Sequence, residues 1–233
     1  MAIALITGGN KGLGKATARQ LIELGHAVYI GSRDRERGLS AAKELGGQML
    51  VLDVTDDSSV DAAARELSRL EGKLDVLINN AGVFEGMVKL DELTADLMRW
   101  VYEVNVFGVL RVTQAFLPLL RESSSPVIVT VSSELGSFGA VTDPHSHQYP
   151  VFDPIYASSK AAVQMLTVQY AKELPQMRVN IAAPGISATD LHGMSGPGIQ
   201  TPEEGAENIV LLATIGVDGP TGTFSRHGKV VRW

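Results

Sequence analysis

Ile6-Thr7-Gly8-Gly9-Asn10-Lys11-Gly12-Leu13-Gly14-Lys15 is the stretch on which the fold of this chain turns. An apolar run from Ala2 leads into it and a pattern with helical spacing leads out, so the glycines stand at a strand-to-helix turn. Such glycines let the backbone approach a pyrophosphate, whose charge is stabilised by the helix N-terminus and its free N–H groups. The spacing departs from the common GxGxxG pattern, because position 10 is Asn and the key glycines fall at 8, 12 and 14. Thr7, Gly8, Asn10, Lys11, Gly12, Leu13 and Gly14 are accordingly the first candidates for nucleotide binding.

Downstream, short β-branched runs alternate with longer helical patterns. Ala27 to Ser32, Gln48 to Asp53, Leu74 to Asn79, Val127 to Ser132 and Arg178 to Ala182 join Ala2 to Thr7 as strands. Their near-continuous apolar character predicts a parallel sheet covered on both faces. Lys15 to Leu24, Arg35 to Leu45, Ser58 to Leu70, Leu93 to Leu120 and Tyr156 to Leu174 read as the intervening helices, with a shorter helix from Pro202 to Ile215 and a last strand near Gly222 to Ser225. Repeated βα units of this kind make an α/β fold with right-handed crossovers. No linker, repeat or low-complexity tract divides residues 1–233, which are expected to form one dinucleotide-binding and catalytic domain.

Composition narrows the function classes. Hydrophobic residues at 45% and charged residues at 20% describe an ordinary folded protein rather than a disordered one. A net charge of −6 argues against nucleic acid and anionic membrane surfaces as partners. Without cysteine there is no disulfide, thiolate nucleophile or thiolate metal site, which suits a reducing cytoplasm. No window of 18 uninterrupted apolar residues and no leader pattern is seen, so the chain is expected to be soluble and unexported.

The second strand ends Gly31-Ser32-Arg33. In dinucleotide folds an acid at this place holds the ribose 2′-OH of NAD, whereas a basic residue accommodates the 2′-phosphate of NADP. Ser32 occupies the place of the acid, Arg33 follows it, and Lys11 projects toward the same corner, which favours NADP(H) over NAD(H). Asp34 is a possible partner for Arg33.

At the other end of the chain, Tyr156-Ala157-Ser158-Ser159-Lys160 places a phenol and an ammonium on one face of a helix. A fixed cation favours the phenolate and should lower the tyrosine pKa, making the two a proton relay.

Taken in order, the glycine turn, Asn79-Asn80-Ala81-Gly82 after the fourth strand, Tyr156 with Lys160, and Pro184-Gly185 after the sixth strand resemble the short-chain dehydrogenase/reductase family over nearly the whole chain. Lys11, where the extended branch of that family would carry glycine, points to its short single-domain branch. The resemblance implies a Rossmann-type doubly wound sheet of about seven mainly parallel strands, order 3-2-1-4-5-6-7, with helices on both faces. It also implies a catalytic set of Asn105, Ser133, Tyr156 and Lys160, in which Asn105 kinks the fourth helix and holds a water of the relay, and Ser133 binds the substrate oxygen. Ser132 is the rival for that last role. Asp53 and Val54 would flank the adenine, although Asp53 also reads as a strand-end cap. Asn80, Ala81 and Gly82 would line the cofactor channel, with Pro184, Gly185, Ile186 and Thr189 at the carboxamide and nearby phosphates.

The segment between Ser133 and Tyr156 is longer than the tight loop common in such proteins, and it contains Asp143-Pro144-His145-Ser146-His147-Gln148-Tyr149-Pro150-Val151-Phe152-Asp153. The two histidines lack a third ligand at metal spacing, so the segment reads as a polar lid and no metal is expected. With a second loop at 186–201, where Leu191, His192 and Met194 are candidate pocket residues, it would shape the substrate side. The features together look most like carbonyl-reductase-type members. They imply NADP(H)-dependent hydride transfer to a ketone or aldehyde on a small, fairly apolar substrate. Two alternatives are a non-catalytic NADP-binding redox sensor and an alcohol dehydrogenase running oxidatively. Monomer and homo-oligomer both remain open, because the long segment can obstruct helix pairing between subunits.

Overall fold

Strand residues at successive positions face opposite sides of one sheet, and in this protein both sides are buried. In the computed structural model, which describes residues 1–189, 191, 193 and 196–233, Ile3 and Leu5 point into one core and Ala4 and Ile6 into the other. That is why the strands lack polar alternation. The elements run β1 (Ile3–Thr7), α1 (Gly12–Glu23), β2 (Ala27–Ser32), α2 (Arg35–Leu45), β3 (Gln48–Val51), α3 (Asp57–Glu71) and β4 (Val76–Asn79). They continue through α4 (Ala95–Tyr102), α5 (Gly108–Arg121), β5 (Val127–Val131), α6 (Phe138–Val141), α7 (Pro154–Glu173), β6 (Arg178–Ala182), α8 (Pro202–Ala213), β7 (Phe224–Arg226) and β8 (Lys229–Val230).

The sheet order is β3-β2-β1-β4-β5-β6-β7-β8. All neighbours are parallel except β7 and β8, which are antiparallel. The expected order therefore holds for seven strands, and a short eighth extends the edge. His227 and Gly228, at φ 48° and 71°, make the tight turn between β7 and β8. Residues of α3, α5 and α7 cover one face, with Val60, Leu67, Val112, Phe116 and Leu174 in its core. Residues of α1, α2 and α8 cover the other, through Ala18, Leu21, Ala42, Ile209 and Leu212.

The single helix expected over 93–120 is interrupted. A π-helical turn, Glu103–Phe107, separates α4 from α5 and contains Asn105, so the widened turn presents that buried amide toward the sheet. By length and composition alone Ala95–Arg121 would suffice to cross a membrane, yet half of its most apolar window is buried in the protein. The third strand ends at Val51 rather than Asp53, and the helix expected to start at Tyr156 begins at Pro154 with Asp153 as its cap.

Candidate active site

The chain passes from the β3 edge back across the sheet to β4, so β1 and β4 are the neighbours where strand direction of growth reverses. In open α/β sheets ligands bind outside the carboxyl ends of the strands at such a switch point. A cavity of about 480 Å³ lies there, bordered by the glycine turn and Arg33 at one end and by Ser133, Tyr156 and Lys160 at the other. Every residue of the expected cofactor set lines it except Thr7.

Thr7 is instead a buried brace. Its Oγ1 accepts from the N–H groups of Asn80 (3.0 Å) and Ala81 (2.9 Å), while Asn80 Nδ2 donates to the Thr7 carbonyl at 2.8 Å. These bonds lock the turn after β1 to the turn after β4. A β-carbon on Gly14 would stand 2.5 Å from Asn80 Nδ2 and 2.6 Å from the Gly8 carbonyl oxygen, so only glycine admits this contact. Gly8 and Gly12 both adopt positive φ, at 64° and 51°, which shapes the backbone cradle facing the cavity.

At the second-strand corner, Asp34 turns away from Arg33. Its carboxylate caps α2 by accepting from the Arg37 N–H at 3.0 Å and pairs with the Arg37 guanidinium at 3.2 Å. Arg33 is left exposed on the cavity wall beside Ser32. Asp53 lines the wall but spends Oδ1 on the N–H and hydroxyl of Thr55, and the cap of α3 is Asp56. Val54 is gripped from behind: Arg111 Nη1 donates to its carbonyl at 2.6 Å and Nη2 donates to Glu103 at 2.8 Å, with Asp57 on Nε. Arg111 thus joins the adenine-side wall to the π turn that carries Asn105.

The Asn105 side chain is engaged by the protein: its Oδ1 accepts from Val83 N at 2.9 Å, and its Nδ2 donates to Val83 O at 3.0 Å and Ser159 Oγ at 3.1 Å. These bonds hold the segment after Gly82 against α7. Of the two serines, Ser132 is buried and occupied, donating weakly to Lys160 O (3.4 Å) and accepting from Gln164 (3.0 Å). Ser133 Oγ accepts from Leu135 N at 3.2 Å and keeps its hydroxyl proton for another acceptor.

Tyr156 and Lys160 are both buried, with the ammonium 5.4 Å from the ring centroid. Lys160 Nζ donates to Val131 O at 3.1 Å, and burial pulls its pKa down to about 8. The lowering of the tyrosine pKa expected from Lys160 is opposed here. Burial, then the charges of Asp153 and Glu85, push the phenol well above its ordinary value. Glu85 and Asp153 were not legible as site residues, though Asp153-Pro154 carries the signature of a helix start, an Asp cap followed by Pro at the first helical position. Phe84 closes this side, its ring edge-on to Tyr156 at 5.5 Å.

The segment before α7 is tied down by polar contacts. Arg226 of β7 donates to Glu134 at 2.8 Å, Gln148 donates to the same carboxylate oxygen at 3.2 Å, and Ser146 donates to Gln148 at 2.6 Å. His147, Gln148 and Val151 reach the cavity, as does Leu191 from the later loop. His192 and Met194 lie outside the described residues. Among the described residues no three His, Asp or Glu side chains cluster to hold a metal ion.

The family model for short chain dehydrogenase matches residues 2–198. The chain is 39% identical over 227 aligned positions to the short-chain dehydrogenase anuI of Penicillium roqueforti, covering 92% of this chain and 89% of that protein. Against salutaridine reductase of Papaver bracteatum it is 31% identical over 293 positions, covering 96% and 94%. The structure of NADPH-bound carbonyl reductase from chicken fatty liver superposes with a TM-score of 0.87 at 28% identity, covering 100% of this chain and 99% of that one. Motif order, sheet topology and these matches agree that the chain belongs to the short-chain dehydrogenase/reductase family, as an oxidoreductase of alcohol and carbonyl groups.

Proposed function

We propose that this protein is an NADP(H)-dependent reductase of a ketone or aldehyde on a small, fairly apolar molecule, acting in the cytosol as one domain. The observation that carries the reading is the single cavity with Arg33 and the glycine cradle at one end and Ser133, Tyr156 and Lys160 at the other. A dinucleotide fits what lines it. Gly8 and Gly12 keep the cradle bare of side chains, and Gly82 brings bare backbone close to Asn105 and Lys160, a β-carbon there standing 3.4 Å from Asn105 Oδ1 and 3.8 Å from Lys160 Nζ. Arg33, with Asp34 drawn off to α2, is placed to meet a 2′-phosphate by a bidentate, charge-assisted pair.

The nicotinamide, when bound, supplies the hydride. The chain supplies orientation and the proton. Ser133 Oγ–H and the Tyr156 hydroxyl are the donors for an oxygen that gains negative charge as its carbon is reduced. Tyr156 is held as the neutral phenol and so enters the reaction as the acid. Lys160, beside its ring, stabilises the tyrosinate left after proton transfer. Asn105 keeps Val83, and hence the Asn80 to Gly82 wall, in register with α7. Phe84, Met87, Leu135, Val151 and Ile186 give the substrate end its apolar lining and help exclude water.

The test is NADPH consumption by the purified protein across a panel of ketones and aldehydes, beside Tyr156→Phe. Turnover should fall roughly 10²- to 10⁴-fold in the variant, the usual contribution of a positioned acid. Equal turnover in the two proteins would remove Tyr156 from the reaction. NADPH binding without turnover on any carbonyl would favour a cofactor-sensing role instead.

A further inference from the structure

The backbone N–H of Tyr156 faces two carboxylates, Glu85 Oε1 at 3.1 Å and Asp153 Oδ1 at 3.2 Å. One is enough for the helix. Asp153 is the N-cap of α7, and a single carboxylate there satisfies the free donor and meets the positive end of the helix dipole. Glu85, brought in by the loop after β4, is surplus to capping, and its Oε2 is buried with no hydrogen-bond partner among the described residues. Like charges held this close to one N–H oppose each other, an arrangement that needs a reason beyond helix stability. The loop is also pressed against the catalytic ring, since Phe84 stacks edge-on upon Tyr156.

We propose that Glu85 and Asp153 are positioning residues for the proton step, an acidic pair whose negative charge holds Tyr156 as the phenol, the proton donor of the reductive direction, and so raises the pH at which tyrosinate forms to serve as a base. This deepens the reductase reading and rests on it. Burial, then the Glu85 charge, pushes Asp153 up to about 7, so near neutrality the pair keeps one proton between its two carboxyls. As pH rises through that value the pair goes from one negative charge to two. Each charge disfavours the tyrosinate, so the phenol becomes harder to ionise where a dehydrogenase would need it as base. Among the described residues, the other titratable side chains that line the same cavity are Lys160 on the same helix, Glu134 beyond Ser133, His147 in the segment before α7, and Lys11, Arg33 and Asp53 toward the glycine turn. Lys160 donates to Val131 O, and Glu134 pairs with Arg226 at 2.8 Å. Neither Glu85 nor Asp153 forms an ion pair among the described residues.

Glu85→Gln and Asp153→Asn remove charge but keep an acceptor, and Asn is itself a good cap. Glu85→Gln also leaves the Asp153 cap in place, so the test stands on it if the other variant fails to fold. Phenolate absorbance of each protein across alkaline pH, minus the same titration with Tyr156→Phe, reports Tyr156 alone among the 5 tyrosines and needs neither cofactor nor turnover. The Tyr156 midpoint should fall by about one pH unit in each variant, and Glu85→Asp should keep the wild-type behaviour. With substrate, the rising limb of the oxidative pH profile should move down by about one pH unit in each variant. A folded Glu85→Gln whose Tyr156 titration matches wild type overturns the proposal, and so does a midpoint that moves up. Absent turnover on every substrate would sink the reductase reading while the absorbance titration still decides what the pair does to the phenol.

Discussion

At the scale of residues, distances decide between roles that residue types leave open. Ser132 and Ser133 are adjacent and chemically identical, yet one hydroxyl is bonded into α7 and the other has a proton to give. Asp34 could have neutralised Arg33, but its carboxylate is drawn to Arg37 and the start of α2. The proposed preference for NADP(H) rests on that withdrawal. In Arg33→Ala the KM for NADPH should rise roughly ten- to a hundredfold, the loss of one charge-assisted pair, while the KM for NADH changes little. Steady-state kinetics with both cofactors checks it, and an equal effect on the two would remove Arg33 from phosphate recognition. Tyr156 and Lys160 were legible as a pair from their spacing. The environment of the phenol was not, because it arises first from burial, which depends on the completed fold, and then from Asp153 together with Glu85, 71 positions earlier in the chain.

Among elements, the site depends on three joints. Thr7 and Asn80 bolt the turns after β1 and β4 together, Arg111 ties the wall after β3 to the π turn, and Gly136 lets the short turn Glu134–Gly136 lie directly on α7. The last joint is packed backbone against backbone. A β-carbon on Gly136 would stand 2.6 Å from the Lys160 carbonyl carbon and 2.7 Å from Ala161 N, both backbone atoms that cannot rotate away. Gly136→Ala should therefore destabilise the fold by about 1–3 kcal/mol, as overpacking does. By pushing Ser133 away from Tyr156 it should also lower kcat more than it weakens cofactor binding. Thermal melting with single-turnover kinetics tests both; unchanged kcat would show that α7 yields without moving the serine. The glycine turn and the strands were readable because their signals are local. The π turn was not, because a run of apolar residues around Asn105 has ordinary helical spacing and only the bonds to Val83 and Ser159 show why the helix widens.

Over the whole molecule the cavity has two ends built by different means. The cofactor end rests on β1, β2 and β4 and on turns locked between them. The proposed substrate end is formed by loop segments, among them the stretch before α7, held through Gln148 and Glu134 to Arg226 on β7 and through Ser137 and Gly139 to the carbonyls of Arg232 and Trp233. Replacing residues 144–151 with a short Gly-Ser linker should leave the NADPH Kd unchanged and shift relative kcat/KM among carbonyl substrates by about tenfold. Calorimetry and the substrate panel would measure this, and a matching loss of cofactor affinity would mean the two ends are not independent. The sequence by itself determined the α/β architecture, through local periodicity, and the family, through motifs whose residues are neighbours in the chain; the order of seven strands was what that resemblance implied, and the sheet bears it out. Only the tertiary structure decided that Thr7 braces instead of lining the cavity, that the Asn105 amide is bonded to Val83 and Ser159, and that Glu85 comes beside Asp153 at the N–H of Tyr156. Burial and electrostatic fields are sums over groups that meet only when the chain has folded.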